Sequence, residues 1–599
     1  MSDLDYEDRQ DLEDVERGFI ATLSDPLVRN AEGVVVWDAD AYDFVHGDAP
    51  ITVSASLWRQ GKLVARHGLF EVVPGIYQAR GMDISNISFI EGDTGVIIID
   101  PLMSTETAAA ALALYREHRG DRPVSAVIHT HSHADHYAGV AGVAASDTPI
   151  IAPAGFLEHS VSENVYAGAA MSRRAAYMYA SDLGASPTGQ MGVGLGMATS
   201  MGTMSLMAPT LDVTRTGQEE TIDGVRIVFQ VTPGTEAPSE MNFYFPDFKA
   251  ACMAENATHT LHNLLTLRGA EVRDARAWSR YLNESIALWG DEVEVVFASH
   301  HWPTWDNARI NVFLRQQRDL YAYLHDQTLR RMNKGEIGIE IAEDFILPPA
   351  IDSAWNARGY YGSVSHNVKA IYQRYLGWFD GNPAHLWEHP PVEEGKRIVA
   401  LAGGPEKALT AAQGAFDEKD YRWAATLASH IVFADPSDAG AKTLLADTLE
   451  QLGFGAENGT WRNFFLRGAS ELRTQIAPPP PDTASPSVLS ALTIEQMFDS
   501  LGVRLDGPKA WDASVAIDFI FTDLNRTYSV TTSNGALIHA DKKPGTEPAP
   551  LVLTLTKPEL LLVLSKGPTE VEHSGDLAQF ATLVGLLDSV DHQFPIVTP

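Results

Sequence analysis

The stretch Val127-Ile-His-Thr-His-Ser-His-Ala-Asp-His136 decides how this chain folds. It begins inside a short apolar run, residues 124–129, which is typical of a buried β-strand. It then places four metal-ligand side chains within six residues. His131 and His133 are two apart at a strand end, so both project to one side and can hold one ion. Asp135 and His136 lie on the following turn and can face a second ion, and imidazole with carboxylate suits Zn²⁺.

Composition restricts what else the chain can be. Its 599 residues include 78 acidic and 44 basic side chains, a net charge of −34, which argues against binding nucleic acid. Cys252 is the only cysteine, so His and carboxylate groups must hold any metal. We find no apolar run of about 18 residues and therefore predict no stable membrane insertion. The acidic start carries no secretion signal, which predicts a cytoplasmic protein, or a periplasmic or secreted one whose signal was removed.

Strand-like and helix-like segments alternate around the motif. We predict strands at residues 53–57, 68–73, 87–90, 96–100 and 124–129, and a helix at 105–118. Further strands follow at residues 226–232, 243–245, 250–254 and 293–298. This alternation indicates a layered α/β domain, to which we assign residues 1–310.

The rest of the chain has a different pattern. Residues 311–476 are mostly helical, residues 477–486 form a proline-rich linker, and residues 487–599 predict a small α+β domain. Within the first domain, residues 154–209 form a Gly/Met-rich insertion with five methionines between Met191 and Met207. Flexible methionines suit a pocket for alkyl chains of differing shape, and they equally suit a loop that packs on the domain.

The histidine motif resembles that of the metallo-β-lactamase superfamily. The resemblance implies a four-layer αβ/βα sandwich with two metal ions at the strand ends and three more ligands on later strands. In Thr232-Pro-Gly-Thr-Glu236, Glu236 stands where the superfamily usually has a histidine, with Glu240 as the alternative. Glu255 takes the place of a bridging carboxylate, and His300 or its neighbour His301 completes the second metal's ligands.

The glutamates at both inner positions match one branch, because the whole chain resembles the alkylsulfatases that cleave dodecyl sulfate and related esters. The matching segments are Met253-Ala-Glu-Asn-Ala-Thr-His-Thr-Leu-His-Asn263, Leu267-Arg-Gly269, Ser299-His-His-Trp-Pro303, Gly359-Tyr-Tyr-Gly-Ser-Val-Ser-His-Asn367 and Gly377-Trp-Phe-Asp-Gly-Asn-Pro383. The resemblance implies two Zn²⁺ per chain, an alkyl sulfate substrate and a homodimer. It also implies that the helical region is a dimerisation domain and that the last domain is sterol-carrier-like.

The charge balance of the metal site predicts that a cationic side chain is needed to bind the sulfate group. Two divalent ions are neutralised by Asp135, Glu236, Glu255 and a bridging hydroxide, so the cluster alone would hold a sulfate weakly. Arg268 is the expected partner, since its planar fork matches two sulfate oxygens, and Asn263 adds a hydrogen bond. Either His259 or His262 could act as the general acid that protonates the departing oxygen, and we prefer His262.

The expected reaction is zinc-dependent hydrolysis by a metal-bridging water. His131, His133 and Glu236 hold one ion, Asp135, His136 and His300 the other, and Glu255 joins them. The sequence does not decide whether the water attacks sulfur or carbon. It also does not decide whether the substrate has a primary or a secondary alkyl chain. Two rival interpretations are another ester or lactam hydrolase on this scaffold and a non-catalytic lipid-binding protein with structural metal. Four further residues could either line the substrate pocket or pack in the core, and the sequence does not decide between these roles. They are Tyr360, Tyr361, His366 and Tyr372.

Overall fold

A computed structural model describes residues 4–477 and 485–599 of the chain. The chain forms two compact units. The first contains residues 1–160, 171–481 and 593–599, and the second contains residues 161–170 and 482–592. Most of the predicted linker, residues 478–484, lies outside the described residues. No helix in the described ranges is long and apolar enough to cross a membrane.

Two mixed sheets form the centre of the first unit. The eight-stranded sheet has the spatial order Phe19–Ala21, Gly68–Val73, Ile76–Arg80, Ile87–Glu91, Val96–Ile99, Val124–Ile128, Ile150–Pro153 and Leu211–Val213. Its first five strands pair antiparallel and its last three continue in parallel. The six-stranded sheet has the order Glu219–Ile222, Val225–Val231, Met241–Phe245, Ala250–Cys252, Val295–Phe297 and Thr304–Trp305. A two-stranded hairpin pairs Leu27–Arg29 with Val35–Asp38.

The strand sequences explain why these sheets stack. Val96–Ile99 and Met241–Phe245 are buried at every position, as expected for strands covered on both faces. One face of each sheet meets the other in a shared core that includes Ile97, Phe229 and Phe297. The outer face of the first sheet is covered by Thr105–Arg119, and that of the second by Ala275–Trp289. The predicted αβ/βα sandwich is therefore confirmed.

One predicted strand is wrong. Residues 53–57 were expected to be extended, but Ala55–Val64 is a helix that buries Leu57, Trp58 and Leu63. The short alternation of apolar and small polar residues in 53–57 also fits a first helical turn, and burial of these side chains decides for the helix. The sequence reading also missed the strand Ile76–Arg80, which pairs with Gly68–Val73 across a tight turn.

Helices make up the middle of the chain, as predicted. They are Asn307–Met332, Gly338–Glu343, Pro349–Asp352, Val364–Leu376, Pro391–Leu401, Pro405–Asp417, Tyr421–Ala434, Ala439–Gly455 and Gly459–Thr474. A short helix, Gln10–Asp14, lies near the start of the first unit. Two further helices, Phe156–Val161 and Gly168–Tyr179, contain the positions in the chain at which the two units are divided.

The second unit has the predicted α+β character. Its five-stranded sheet has the order Ala536–Asp541, Arg526–Ser533, Ala516–Phe521, Leu551–Leu555 and Glu572–Gly575. Its helices are Pro486–Ala491, Ile494–Arg504, Gly507–Ala510, Lys557–Lys566 and Ala578–Gly585. Asn534-Gly535 forms the hairpin turn between Arg526–Ser533 and Ala536–Asp541, and both residues take a positive φ, 50° and 77°.

Candidate metal centre and anion site

The histidine motif begins where the buried strand Val124–Ile128 ends. The turn after it contains a short 3₁₀ segment, Ala134–His136, and carries the four predicted ligands into the interior. Asp100 follows the neighbouring parallel strand Val96–Ile99, so it reaches the same edge of the sheet. The carboxyl ends of parallel strands thus bring these side chains together.

The structure brings all seven predicted metal ligands into two adjoining groups. The first group is His131, His133, Glu236 and Glu255, and the second is Asp135, His136, Glu255 and His300. Within each group the ligand atoms all lie within 4.8 Å of one another. Two ligand atoms bound to one Zn²⁺ at about 2.0–2.3 Å lie at most roughly 4.6 Å apart, so ligand atoms spaced by up to 4.8 Å need to move inward only slightly to bind one ion.

The chemistry of the ligand atoms also fits metal ions. Nε2 of His131, Nε2 of His136 and Oε2 of Glu236 are buried and lack a hydrogen-bond partner within the described ranges. Yet the His131 Nε2–Glu236 Oε2 distance is 3.2 Å and the His136 Nε2–Glu255 Oε1 distance is 2.9 Å. Buried carboxylates beside imidazoles without hydrogen-bond geometry are what a cation between them requires.

Neighbouring groups fix the orientation of the imidazoles. Asp100 accepts hydrogen bonds from Thr130 N at 2.8 Å and Ser299 Oγ at 2.6 Å, and His136 Nδ1 lies 3.0 Å from its Oδ2. His300 Nδ1 lies 2.9 Å from the carbonyl oxygen of Ile84. In both histidines Nδ1 is thereby engaged, which leaves Nε2 to face the ligand cluster. The sequence reading missed Asp100, although a carboxylate directly after a wholly apolar strand is a usable signal.

Glu240 and His301, the two alternative metal ligands that the sequence left open, lie outside the two ligand groups. Glu240 accepts hydrogen bonds from Thr235 Oγ1 at 2.5 Å and from Glu236 N at 2.8 Å, so it holds the loop that carries Glu236. Burial, with the nearby Glu236 charge, raises the pKa of Glu240 to about 8. His301 accepts a hydrogen bond from His259 N at 3.0 Å, and its Nε2 lies 3.0 Å from Gly194 O. His301 therefore ties loops together, whereas His300 joins the ligand groups.

Arg273 is a second polar residue beside the metal groups, besides Asp100, that the sequence did not predict. Its guanidinium contacts Glu236 Oε1 and donates to Asn263 Oδ1 at 2.5 Å and to His262 Nδ1 at 3.1 Å. Arg273 is 5% exposed, so these contacts are shielded from water. Asn263 Nδ2 is buried without a hydrogen-bond partner in the described part of the chain, and it is left available to an acceptor.

His262 lies against the ligand cluster and His259 does not. His262 Nε2 is 2.7 Å from Glu255 Oε2 and 3.8 Å from Glu236 Oε1. His259 instead stacks between Trp302 and Phe313, with ring centroids 4.5 and 5.0 Å away, and burial lowers its pKa to about 3. His259 is thus a packing histidine.

Arg268 borders a tyrosine pair beside the cluster. The hydroxyl groups of Tyr179 and Tyr361 are 3.5 Å apart, and the Tyr361 ring lies 4.8 Å from the His262 ring. Burial raises the pKa of Tyr179, and the positive charge of Arg268 opposes that rise. Arg268 is half-buried and also donates to Gly269 O at 3.1 Å.

Tyr360, Tyr372, His366 and two methionines of the insertion pack against other residues of the protein. Tyr360 donates to or accepts from Ser56 Oγ at 3.0 Å and shares a core with Met191 and Met197. Tyr372 belongs to another apolar core, and His366 contacts Leu265 O at 2.5 Å.

Comparison with known proteins agrees with this geometry. The metallo-beta-lactamase superfamily model matches residues 80–300, the alkyl sulfatase dimerisation model residues 338–475 and the alkyl sulfatase C-terminal model residues 482–599. A linear primary-alkylsulfatase of Pseudomonas sp is 47% identical, covering 100% of this chain and 91% of the relative. An (R)-specific secondary-alkylsulfatase of Pseudomonas sp is 42% identical, covering 100% and 92%. The solved structure of a stereoselective inverting sec-alkylsulfatase, Pisa1 from Pseudomonas sp., has a TM-score of 0.96 at 42% identity, covering 100% and 96%.

The sandwich fold and the clustered His and carboxylate ligands define a member of the metallo-β-lactamase superfamily. Within that superfamily, the full-length matches show that the chain belongs to the alkylsulfatase family. The predicted family and order of domain types are confirmed. The exact boundaries at residues 310, 476 and 486 stay predictions.

Proposed function

We propose that this chain hydrolyses alkyl sulfate esters to alcohol and sulfate. The observation that carries the proposal is the pair of ligand groups sharing Glu255, with Asn263 and Arg273 close by. Arg268 acts on Tyr179, whose partner Tyr361 lies against His262. The relatives named above as alkylsulfatases support the substrate class. The reacting group of a lactam or a carboxylic ester is uncharged, whereas a sulfate ester carries a negative charge there. The two arginines therefore favour a sulfate ester over these rival substrates.

We assign two Zn²⁺ ions to the two groups, the first to His131, His133 and Glu236 and the second to Asp135, His136 and His300. Glu255 is the shared ligand, because its carboxylate belongs to both groups. Bound zinc would supply a Lewis acid and a water of lowered pKa at this position. The chain's own task is to hold the ester there and to move a proton.

Asn263 and Arg268 bind the sulfate group in this proposal. The free Nδ2 of Asn263 donates one hydrogen bond, and Arg268 offers a planar pair of donors. Arg273 is a positioning residue, since it holds Asn263 through Oδ1 and neutralises Glu236. A sulfate group bound between these residues lies close to the negative Glu255 carboxylate. The positive charges of Arg268 and Arg273 offset the repulsion between the two anions.

His262 gives a proton to the departing alcohol oxygen. His262 Nδ1 lies 3.1 Å from Arg273 Nη1, which can only donate, and 3.1 Å from the carbonyl oxygen of Asn263, which can only accept. In this proposal the Asn263 oxygen accepts the Nδ1 proton, and Nε2 carries the proton that is transferred. Nε2 faces the cluster, 2.7 Å from Glu255 Oε2. The proton therefore sits on the atom nearest the reacting group.

The test uses purified protein with its metals, given dodecyl sulfate and racemic 2-octyl sulfate in ¹⁸O-water. We expect sulfate release from at least one substrate, and complete loss of release after chelation with return on adding Zn²⁺. Label in the alcohol assigns attack at carbon, and label in the sulfate assigns attack at sulfur. No sulfate from either ester, with two zinc ions bound per chain, contradicts the proposed substrate class.

We further propose that the chain is a homodimer joined through the segment 375–390. Trp387 is 96% exposed and Trp378 77% exposed, and Leu376 and Leu386 are also exposed. The segment is nevertheless ordered by its own hydrogen bonds, in which Asp380 accepts from Asn382 N at 2.9 Å and contacts His385 Nδ1 at 2.6 Å. It lies inside the part matched by the dimerisation model. Four exposed large apolar side chains in one short ordered segment favour an interface there, and a second copy of the chain is the partner that the family match supports.

Replacing Trp378 and Trp387 together with alanine is expected to weaken dimerisation by about 100-fold or more, because buried tryptophans dominate interface energies. Sedimentation velocity across a concentration series measures the effect. The matched control is Trp511→Ala, a 68% exposed tryptophan in the other unit, which should leave the dimer intact. A double variant that dimerises as tightly as the wild type would exclude this segment as the interface.

A further inference from the structure

The turn 81–86 joins two strands of the eight-stranded sheet and contacts two ligands of the second metal group. The carbonyl oxygen of Ile84 lies 2.9 Å from His300 Nδ1. Ser85 Oγ donates to the backbone carbonyl oxygen of Asp135 at 2.5 Å. Ile84 and Ser85 are both buried, so water does not compete for these contacts. The turn therefore holds the ring of one ligand and the backbone of the other.

Asn86, the last residue of this turn, holds the backbone on both sides of His300. Its N donates to Ser299 O at 2.7 Å, and its side-chain Nδ2 donates to His301 O at 2.7 Å. His301 takes a positive φ of 65°, a left-handed conformation that is unfavourable for a residue with a side chain. Because His300 directly precedes this bend, its direction depends on the contacts with Asn86 that keep the bend in place.

The Gly/Met-rich insertion packs against the same turn. A Cβ atom added to Gly196 would overlap the carbonyl oxygen of Ile84 and would lie 3.0 Å from its carbonyl carbon. Only glycine therefore lets the insertion approach the carbonyl group that engages His300. Ser200 adds two hydrogen bonds, since its N and its Oγ donate to the Asp83 carboxylate at 3.0 and 2.5 Å. The insertion and the turn thus form one packed support next to His300.

We propose that Gly196, Ser85 and Asn86 are positioning residues that set the affinity of the second metal ion separately from that of the first. The Ile84 carbonyl keeps the His300 ring oriented only while the insertion and the turn stay in contact. Replacing residues that orient metal ligands typically changes metal affinity by about 10–100-fold. The inference rests on the two-zinc assignment of the proposed function and adds to it a role for the Gly/Met-rich insertion.

The ligands of the first metal group are oriented by different residues. Thr130 Oγ1 lies 2.9 Å from His131 Nδ1. The Arg273 guanidinium contacts Glu236 Oε1 and donates to Asn263 Oδ1 at 2.5 Å. Loss of the contact between the insertion and the turn should therefore leave these interactions in place and act on the second ion.

Zinc binding to the full-length protein tests the proposal, with metal content measured over a series of chelator-buffered free Zn²⁺ concentrations. We expect Gly196→Ala and Asn86→Ala each to bind one of the two ions about 10–100-fold more weakly and to bind the other like the wild type. Gly196 has no positive φ, so its added methyl group acts through the contact with Ile84. The matched control is Gly414→Ala, where a Cβ atom would meet nothing within 4 Å, and it should bind both ions unchanged.

Zinc anomalous maps from crystals of Gly196→Ala grown at limiting zinc identify the weakened ion. We expect the lower occupancy between Asp135, His136 and His300. Lower occupancy in the first group, equal weakening of both ions, or unchanged binding would overturn the proposal. Ser85→Ala removes one buried hydroxyl group and supplies the same comparison if Gly196→Ala does not fold.

The binding measurement also separates this inference from the proposed function. Two ions bound by the wild type with no selective loss in the variants would overturn the inference alone. Fewer than two ions bound by the wild type would overturn the two-zinc assignment and the inference with it. Neither result depends on sulfate release, which is measured in parallel on the same samples.

Discussion

Replacing Glu255 with glutamine is expected to lower kcat for alkyl sulfate hydrolysis by about 10³-fold or more. Glu255 is the one side chain common to both ligand groups, and its carboxylate lies 2.9 Å from His136 Nε2 and 3.0 Å from His300 Nε2. Glutamine has the same shape but no negative charge, so it cannot balance two divalent ions. Sulfate release and metal content per chain, measured on the same sample, check this result.

The matched control for this variant is Glu294→Gln. Glu294 is largely exposed and pairs with Lys249 on the surface, so its loss should leave activity and metal content unchanged. Retained dimerisation of Glu255→Gln would show that the variant is folded. Full activity with two zinc ions per chain in Glu255→Gln would refute the shared-ligand assignment, whereas lost activity with one ion per chain would support it.

The sequence predicted the grouping of the metal-ligand side chains better than it predicted the polar residues beside them, and the reason is local geometry. His131, His133, Asp135 and His136 follow one strand, so their grouping is a property of a single turn. Glu236, Glu255 and His300 come from three different loops and were identified by family resemblance. Arg273 belongs to none of the recognised motifs. Its role depends on contacts with Glu236, Asn263 and His262 that only the folded chain creates.

His259 and His262 show why residue type and spacing are not enough. Both lie between Glu255 and Arg268 in the sequence, and both are buried. Three residues of separation turn one imidazole toward Trp302 and the other toward Glu255. The same limit applies to residues 53–57, where five residues with alternating polarity fit a strand or a helical turn. Packing of Trp58 against the core that contains Met191 decides for the helix.

Replacing Arg268 with alanine is expected to lower kcat/KM for alkyl sulfates by about 10²–10³-fold. Arg268 is the predicted sulfate ligand and lies near the hydroxyl of Tyr179, in the wall that continues through Tyr361 to His262. The neutralised metal cluster alone attracts the sulfate weakly, so the loss of this cation should be large. Arg268→Lys should recover only part of the activity, because a single ammonium cannot match two sulfate oxygens.

The contrast with Arg273 makes this test specific. Arg276→Ala removes an exposed arginine eight residues further along the chain and should leave kcat/KM unchanged. Arg273→Ala should instead lower metal content, because Glu236 and Asn263 lose the guanidinium that holds both side chains in position. Arg268→Ala should keep two metal ions per chain. Unaltered kinetics in Arg268→Ala would remove Arg268 from the anion site and leave Arg273 and Asn263 as its remaining donors.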